Sequence, residues 1–373
     1  MKLTRILLLI SLFAFLFLTS AYSDVSIRSW QMSTKNGLTN NSVRRLHQDA
    51  YGFVWIGTFN GLHRFDGNNI VLYQPTPKDS ITLSDHRIDK IEEDGKGYLW
   101  IGTSNERISC FDIRQERFVD FTGNGTFNTA YNHIFVDSRK DVWLWNSWQN
   151  GCLHVHEEEG RFTSQKYDIK NGNLHNDRVT SLKEDQNGNI WISTRKGITL
   201  VQNGKSRLIK GQYNPVKIFF HKNQVYIVTR DGVIARYSPK EDAMVEVARV
   251  DPPNNKYIST ALQRENECWI FTNNQTLIFD FDTQRIRMST EITIPFALTF
   301  TDNGGNYWVF NGTGNVWFFP KYAKQSVKPF AFMSPETLKL IDRERYYVWQ
   351  DSRGLFWITT YGNGLFVYNP VTN

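Results

Sequence analysis

Asp49-Ala50-Tyr51-Gly52-Phe53-Val54-Trp55-Ile56-Gly57-Thr58 is the stretch that decides the fold, because the chain repeats it. Asp-x-x-Gly-x-x-Trp returns at Asp94/Gly97/Trp100, Asp185/Gly188/Trp191, Asp302/Gly305/Trp308 and Asp351/Gly354/Trp357. A sixth copy, Asp137 to Trp143, carries Lys140 in the glycine position, and Tyr226 and Trp269 anchor two weaker copies. The eight aromatic anchors recur about every 43 residues and account for nearly all of the chain, a period that belongs to repeat architectures.

Each unit has the same internal order. An alternating segment, as in Val43-Arg44-Arg45-Leu46-His47-Gln48, precedes the turn. Asp opens the turn and Gly supplies its positive φ. The segment with the Trp follows, then a short loop, then Gly61-Leu62-His63-Arg64-Phe65 and Ile70-Val71-Leu72-Tyr73 as third and fourth strands. Short alternating strands between turn signals predict antiparallel sheet. Four-stranded units of this size predict an all-β chain, a β-propeller of eight counted blades. A Trp at one fixed strand position is expected to fill the wedge between neighbouring blades. The turn Asp and Gly are read as turn chemistry, not as a catalytic pair.

The last unit offers three strands, at 345–350, 355–360 and 364–368. Its fourth could come from residues 25–32, upstream of the first unit, and that join would close an eight-bladed ring without open edges.

Composition and the N-terminus narrow the class. The 373 residues are 14% aromatic and 21% charged, which fits a chain with a large core and excludes a disordered one. The 43 Lys and Arg against 37 Asp and Glu are scattered, with no basic run, so nucleic-acid binding is not expected. Basic residues up to Arg5, an apolar run from Ile6 to Leu18 and the small-x-small pattern Ala21-Tyr22-Ser23 predict a secretory signal peptide over 1–23. The propeller is then expected over 24–373, exported, with no later membrane span. The three cysteines lack metal-ligand spacing and are read as buried thiols.

Asn36-Gly37-Leu38-Thr39-Asn40-Asn41-Ser42-Val43, then Asp49 to Thr58, then Gly61-Leu62-His63-Arg64-Phe65-Asp66-Gly67, resembles the opening of the two-component-regulator propeller. This is the periplasmic sensor region of hybrid two-component histidine kinases. The resemblance implies two seven-bladed rings followed by immunoglobulin-like, membrane, kinase and regulator segments, and a sensor that answers oligosaccharides by switching on polysaccharide-utilisation genes. It favours seven blades plus the start of a second ring, where the strand count allows a closed ring of eight. The chain has no kinase histidine motif, ATP-binding region, receiver Asp or helix-turn-helix, so it is expected to bind rather than to catalyse.

Ligand contacts are expected on the rim that carries the loops between second and third strands. The candidates there are Phe59, Asn60, Arg107, Trp145, Trp148, Arg195, Arg230 and Tyr361, with Asn273 and Asn274 on the same rim. Aromatic faces suit the C–H surfaces of sugars, and amide or guanidinium groups suit their hydroxyls. No cofactor and no metal is expected. His154 and His156 alternate beside three glutamates but show no third ligand, and are read as solvated strand and turn. The expected partner is an oligosaccharide, with a homodimer or other sensor-region domains as further partners. A glycan-active enzyme and a pure protein-interaction platform are the alternatives.

Overall fold

The computed structural model describes residues 30–79, 81–121, 131–250, 258–272, 275–289, 298–301, 305, 307–310, 316–319 and 347–369. The expected signal peptide, Asp302 and the Asn273-Asn274 loop lie outside the described residues. Among the described residues, eight antiparallel sheets follow one another, seven with four strands and one with three. Sheet 1 consists of Val43–Gln48, Val54–Thr58, Gly61–Phe65 and Ile70–Tyr73, in that order. Sheets 2 to 7 follow over 88–119, 133–167, 179–209, 215–249, 260–288 and 298–319.

Sheet 8 is completed from the other end of the chain. Tyr347–Gln350, Phe356–Thr359 and Leu365–Tyr368 take Trp30–Met32 as their outer strand, in the register Trp30↔Val367 and Met32↔Leu365. This is the join on which the eight-unit alternative depends. Sheet 8 also packs on sheet 1: Trp357, Leu365, Val367 and Met32 share one apolar cluster with Val43, Val54, Ile56 and Phe65.

The anchors stand where the repeat predicts. Trp55 is buried against Ile88, Leu99, Ile101 and Phe111 of sheet 2. Trp100 packs with Ile134 and Leu144 of sheet 3, Trp143 with Ile190 and Ile192 of sheet 4, and Trp191 with Ile218 and Ile227 of sheet 5. Tyr226 serves sheet 6 in the same way, and Trp269 serves sheet 7. Each of these described anchors packs against the next sheet, so the same kind of wedge recurs between them. Removing one such indole costs about 3–5 kcal/mol.

The turns explain why the anchor is Trp. Asp49 accepts the backbone N–H groups of Tyr51 and Phe53 at 2.9 and 3.0 Å on one carboxylate oxygen. Its other oxygen accepts the buried Trp55 Nε1–H at 2.8 Å. Asp94–Trp100, Asp137–Trp143, Asp185–Trp191 and Asp351–Trp357 repeat the contact at 3.0, 3.1, 2.9 and 3.1 Å. A buried indole N–H needs an acceptor, and the turn supplies it. Lys140 takes the glycine role in sheet 3 with φ of 67° and still donates its N–H to Asp137 O at 2.9 Å, so that turn keeps its shape. All three cysteines are free and buried, as read from the sequence.

Candidate functional site

In consecutive antiparallel sheets, the loops between second and third strands and the segments between sheets emerge at one end. Backbone bonds tie the two sets together: Gly61 N–H to His86 O, Ser104 N–H to Arg87 O, Arg195 N–H to Arg178 O and Arg230 N–H to Asn214 O. Most of the candidate residues sit on this rim, in three patches.

The most developed patch spans sheets 3 to 5. Trp148 is 61% exposed, and the Arg195 guanidinium lies over its ring at 5.8 Å. Arg195 also lines a cleft of about 410 Å³ shared with Arg230, Tyr213, Glu246 and Arg249. Trp148, Arg195 and Arg230 are therefore brought to one neighbourhood. Tyr213, Glu246 and Arg249 were not anticipated. They lie on an inter-sheet segment and a fourth strand, where a search confined to one class of loop does not reach. Tyr213 is fixed by its hydroxyl, which donates to Met244 O at 3.0 Å. Its pKa is raised, by burial first and then by Glu246.

A second patch joins sheets 8, 1 and 2. Phe59 and Tyr361 meet edge to face at 5.3 Å, and Arg87 and Arg44 stand over Phe59 at 4.9 and 5.5 Å. Asn60 is taken up structurally: its carbonyl accepts from Thr39 Oγ1 at 2.7 Å and its side-chain oxygen from Gln74 at 3.2 Å. Arg107 is exposed beside a third cleft, of about 540 Å³, with Thr76, Ile81 and Phe121.

Trp145 is the correction. It ends the strand Val142–Trp145, is 8% exposed, stacks on His133 at 5.0 Å and belongs to the core shared with sheet 4. The alternation of a strand puts it on the same face as Trp143, two residues earlier. A tryptophan beyond the anchor reads from sequence as a loop residue. The strand simply continues through it.

The histidines also differ from expectation. His154 Nε2 and His156 Nδ1 lie 3.0 and 2.7 Å from the Asp141 carboxylate, and Lys96 Nζ lies 3.4 Å from it. Burial pushes the Asp141 carboxyl up, but the bonds from His156 and His154 outweigh it and hold it below the usual range. Asp137, Asp141 and His154 bring three groups of metal-ligating type together. Their lone pairs are engaged by the Trp143 indole, by backbone N–H groups and by the Lys96 ammonium, which supplies the positive charge a cation would. The cluster is a hydrogen-bonded charge network that ties sheet 2 to sheet 3.

The carboxylates of the repeat turns hold amides and indoles, which leaves them no role as a paired acid and base on the rim.

Residues 37–60, 82–105 and 173–196 match the family model of the two component regulator propeller, so these three stretches are two-component-regulator propeller repeats. Histidine kinase P4 of Formosa agariphila is 33% identical over 73 residues, which is 20% of this chain and 5% of that protein. The extracellular domain of the putative hybrid two component system BT4673 from B. thetaiotaomicron matches with a TM-score of 0.55 at 20% identity, over 91% of this chain and 46% of that one. The computationally designed Ika8 protein matches with a TM-score of 0.60 at 11% identity, over 89% of this chain and 98% of that one. At these identities the structural likeness is one of fold. The chain spans a small part of the curated kinase and under half of the extracellular domain. Among the described residues, no helix is long and apolar enough to cross a membrane.

Proposed function

We propose that this chain of two-component-regulator propeller repeats is a periplasmic sensing module that binds an oligosaccharide on its loop rim and has no catalytic activity of its own. In this reading it is the ligand-recognising part of a hybrid two-component system that regulates polysaccharide use. The observation that carries the binding reading is Trp148: a large exposed aromatic, covered by Arg195, at the edge of a cleft lined by Arg230 and Tyr213. The flat ring suits the apolar face of a sugar, and the guanidinium groups and Glu246 suit its hydroxyls. The sensing reading is supported by the three matched repeats and by the names of the relatives.

The test is the melting temperature of the purified protein against a panel of oligosaccharides, because a ligand that binds only the folded state raises it. The reading expects a shift with one glycan class, lost in Trp148→Ala and Arg230→Ala, both exposed positions where folding is spared. A shift retained in both variants moves the site elsewhere. A cooperative melt with no shift across the panel counts against glycan binding and favours a protein-interaction platform.

A further inference from the structure

The first strands of successive sheets are neighbours, sheet 1 with 2, 2 with 3, 4 with 5, 5 with 6 and 8 with 1, so they line the axis of the molecule. In sheets 1, 2, 4 and 5 that strand carries a register shift at the same place. After the shift stand Arg45 opposite Gly57, Lys90 opposite Gly102, Ser181 opposite Ser193 and Lys217 opposite Val228; His133 holds the same level in sheet 3. A bulge re-aims the side chain that follows it, and in sheets 1, 2 and 5 it sets a basic group at one level of the channel.

Arg45, His47, Lys90, Glu92 and Trp349 line one cavity of about 260 Å³ in this channel. The Lys90 ammonium makes no hydrogen bond or ion pair among the described residues. Burial lowers its pKa, Arg45 lowers it further, and Glu92 and Asp89 oppose them. His133, on the next strand, is held at about 4 by burial, with repulsion from Lys90 and Arg45 added. Glu92 faces the lumen, and its surroundings of protein raise its carboxyl above the ordinary value. A confined cation that no nearby carboxylate pairs with directly is costly to keep. An acid group entering the cavity would remove that cost. Trp349 offers a flat apolar wall, Glu92 an acceptor for hydroxyls, and the volume lies below the roughly 300–1,000 Å³ of drug-sized sites.

We propose that this end of the central channel binds a single sugar ring bearing a carboxylate or sulfate, with the acid group held by Arg45 and Lys90 and the ring set against Trp349. The site is separate from the cleft between sheets 4 and 5, so it stands whether or not the rim binds a glycan.

Titration calorimetry of the full chain at constant ionic strength, with glucuronate, inorganic sulfate and glucose as probes, tests it. Saturable binding of glucuronate, weaker binding of sulfate and none of glucose are expected. A sulfate response equal to that of glucuronate would assign the site to the free anion and overturn the sugar-ring proposal. Lys90→Met should weaken glucuronate by at least roughly tenfold, without lowering the melting temperature of the free protein, since it removes a confined charge. Arg45→Gln provides a second removal should the first perturb folding, and Lys35→Met, at an exposed position, should change nothing. Trp148→Ala should leave glucuronate binding intact, which separates failure here from failure of the rim reading. No saturable binding of glucuronate, equal binding of glucose, or unchanged affinity in both Lys90→Met and Arg45→Gln overturns the proposal.

Discussion

Mild acid should weaken this fold through one imidazole. His63, on the third strand of sheet 1, is fully buried. Its Nε2 lies 3.1 Å from the Thr39 N–H, which can only donate, so Nε2 is the acceptor and the ring is neutral with its proton on Nδ1, 3.4 Å from Ile56 O. Burial lowers the pKa from 6.5 to about 4, against a smaller opposing effect of the Ile56 bond. Between those values the unfolded chain carries a proton that the folded chain does not, so stability rises with pH across that window. At pH 5 the imbalance amounts to about 2 kcal/mol, and at pH 7.5 to almost nothing. His63→Gln removes the titration. Urea unfolding at both pH values, on wild type and variant, isolates the effect: the variant should lose about 2 kcal/mol less than wild type on going from pH 7.5 to 5. His133, also held at about 4, adds to the wild-type loss and cancels in the comparison. Equal losses in the two proteins would refute the buried neutral ring.

Three further substitutions probe the architecture by urea denaturation. Asp49→Ala strands the Trp55 indole and two turn amides and should cost about 3 kcal/mol; a loss no larger than that of an ordinary surface change would sink the turn-to-anchor bond. Gly57→Ala places a Cβ 2.7 Å from Ile88 Cγ2 and 2.9 Å from its Cβ, a clash between sheets 1 and 2 that should cost about 1–3 kcal/mol despite the lower conformational entropy that alanine gives the unfolded chain. Met32→Ala removes a side chain that is 2% exposed at the join of sheets 8 and 1 and should cost about 2–4 kcal/mol. An unchanged midpoint would mean that the N-terminal strand is not part of the stable sheet.

Much of this was legible from one line of sequence, and the boundary of legibility has a physical cause. A period of similar turns and anchors reports a wedge built again from sheet to sheet, so the packing of Trp55 or Trp191 could be read from spacing alone. The bond from Asp49 to the Trp55 indole lies within one repeat, yet it needed the turn's curvature to bring the two together. Contacts between repeats were out of reach. Asp141 meets Lys96, and Arg195 meets Trp148, only because adjacent sheets face each other. Trp145 misled because an aromatic past the anchor looks like a loop residue when the strand's end is unknown. The basic level of the channel is hidden by the register shifts, which move Arg45 and Lys90 out of simple alternation.

The pairing of Trp30–Met32 with Leu365–Tyr368 has a consequence in time. Gln31 donates to Asn363 O across 332 positions of chain. Closing a loop of that length from a flexible chain costs about 5 kcal/mol in entropy beyond the constant for any closure. The cost shrinks only once the intervening sheets have stacked and carry the two ends toward each other. Sheet 8 is thus expected to zip last, after the rest has formed an arc with one wet face beside sheet 1. Until then Val43, Val54 and Leu365 stand exposed at the open seam, where a chaperone or a second chain could take the place that the N-terminal strand will fill.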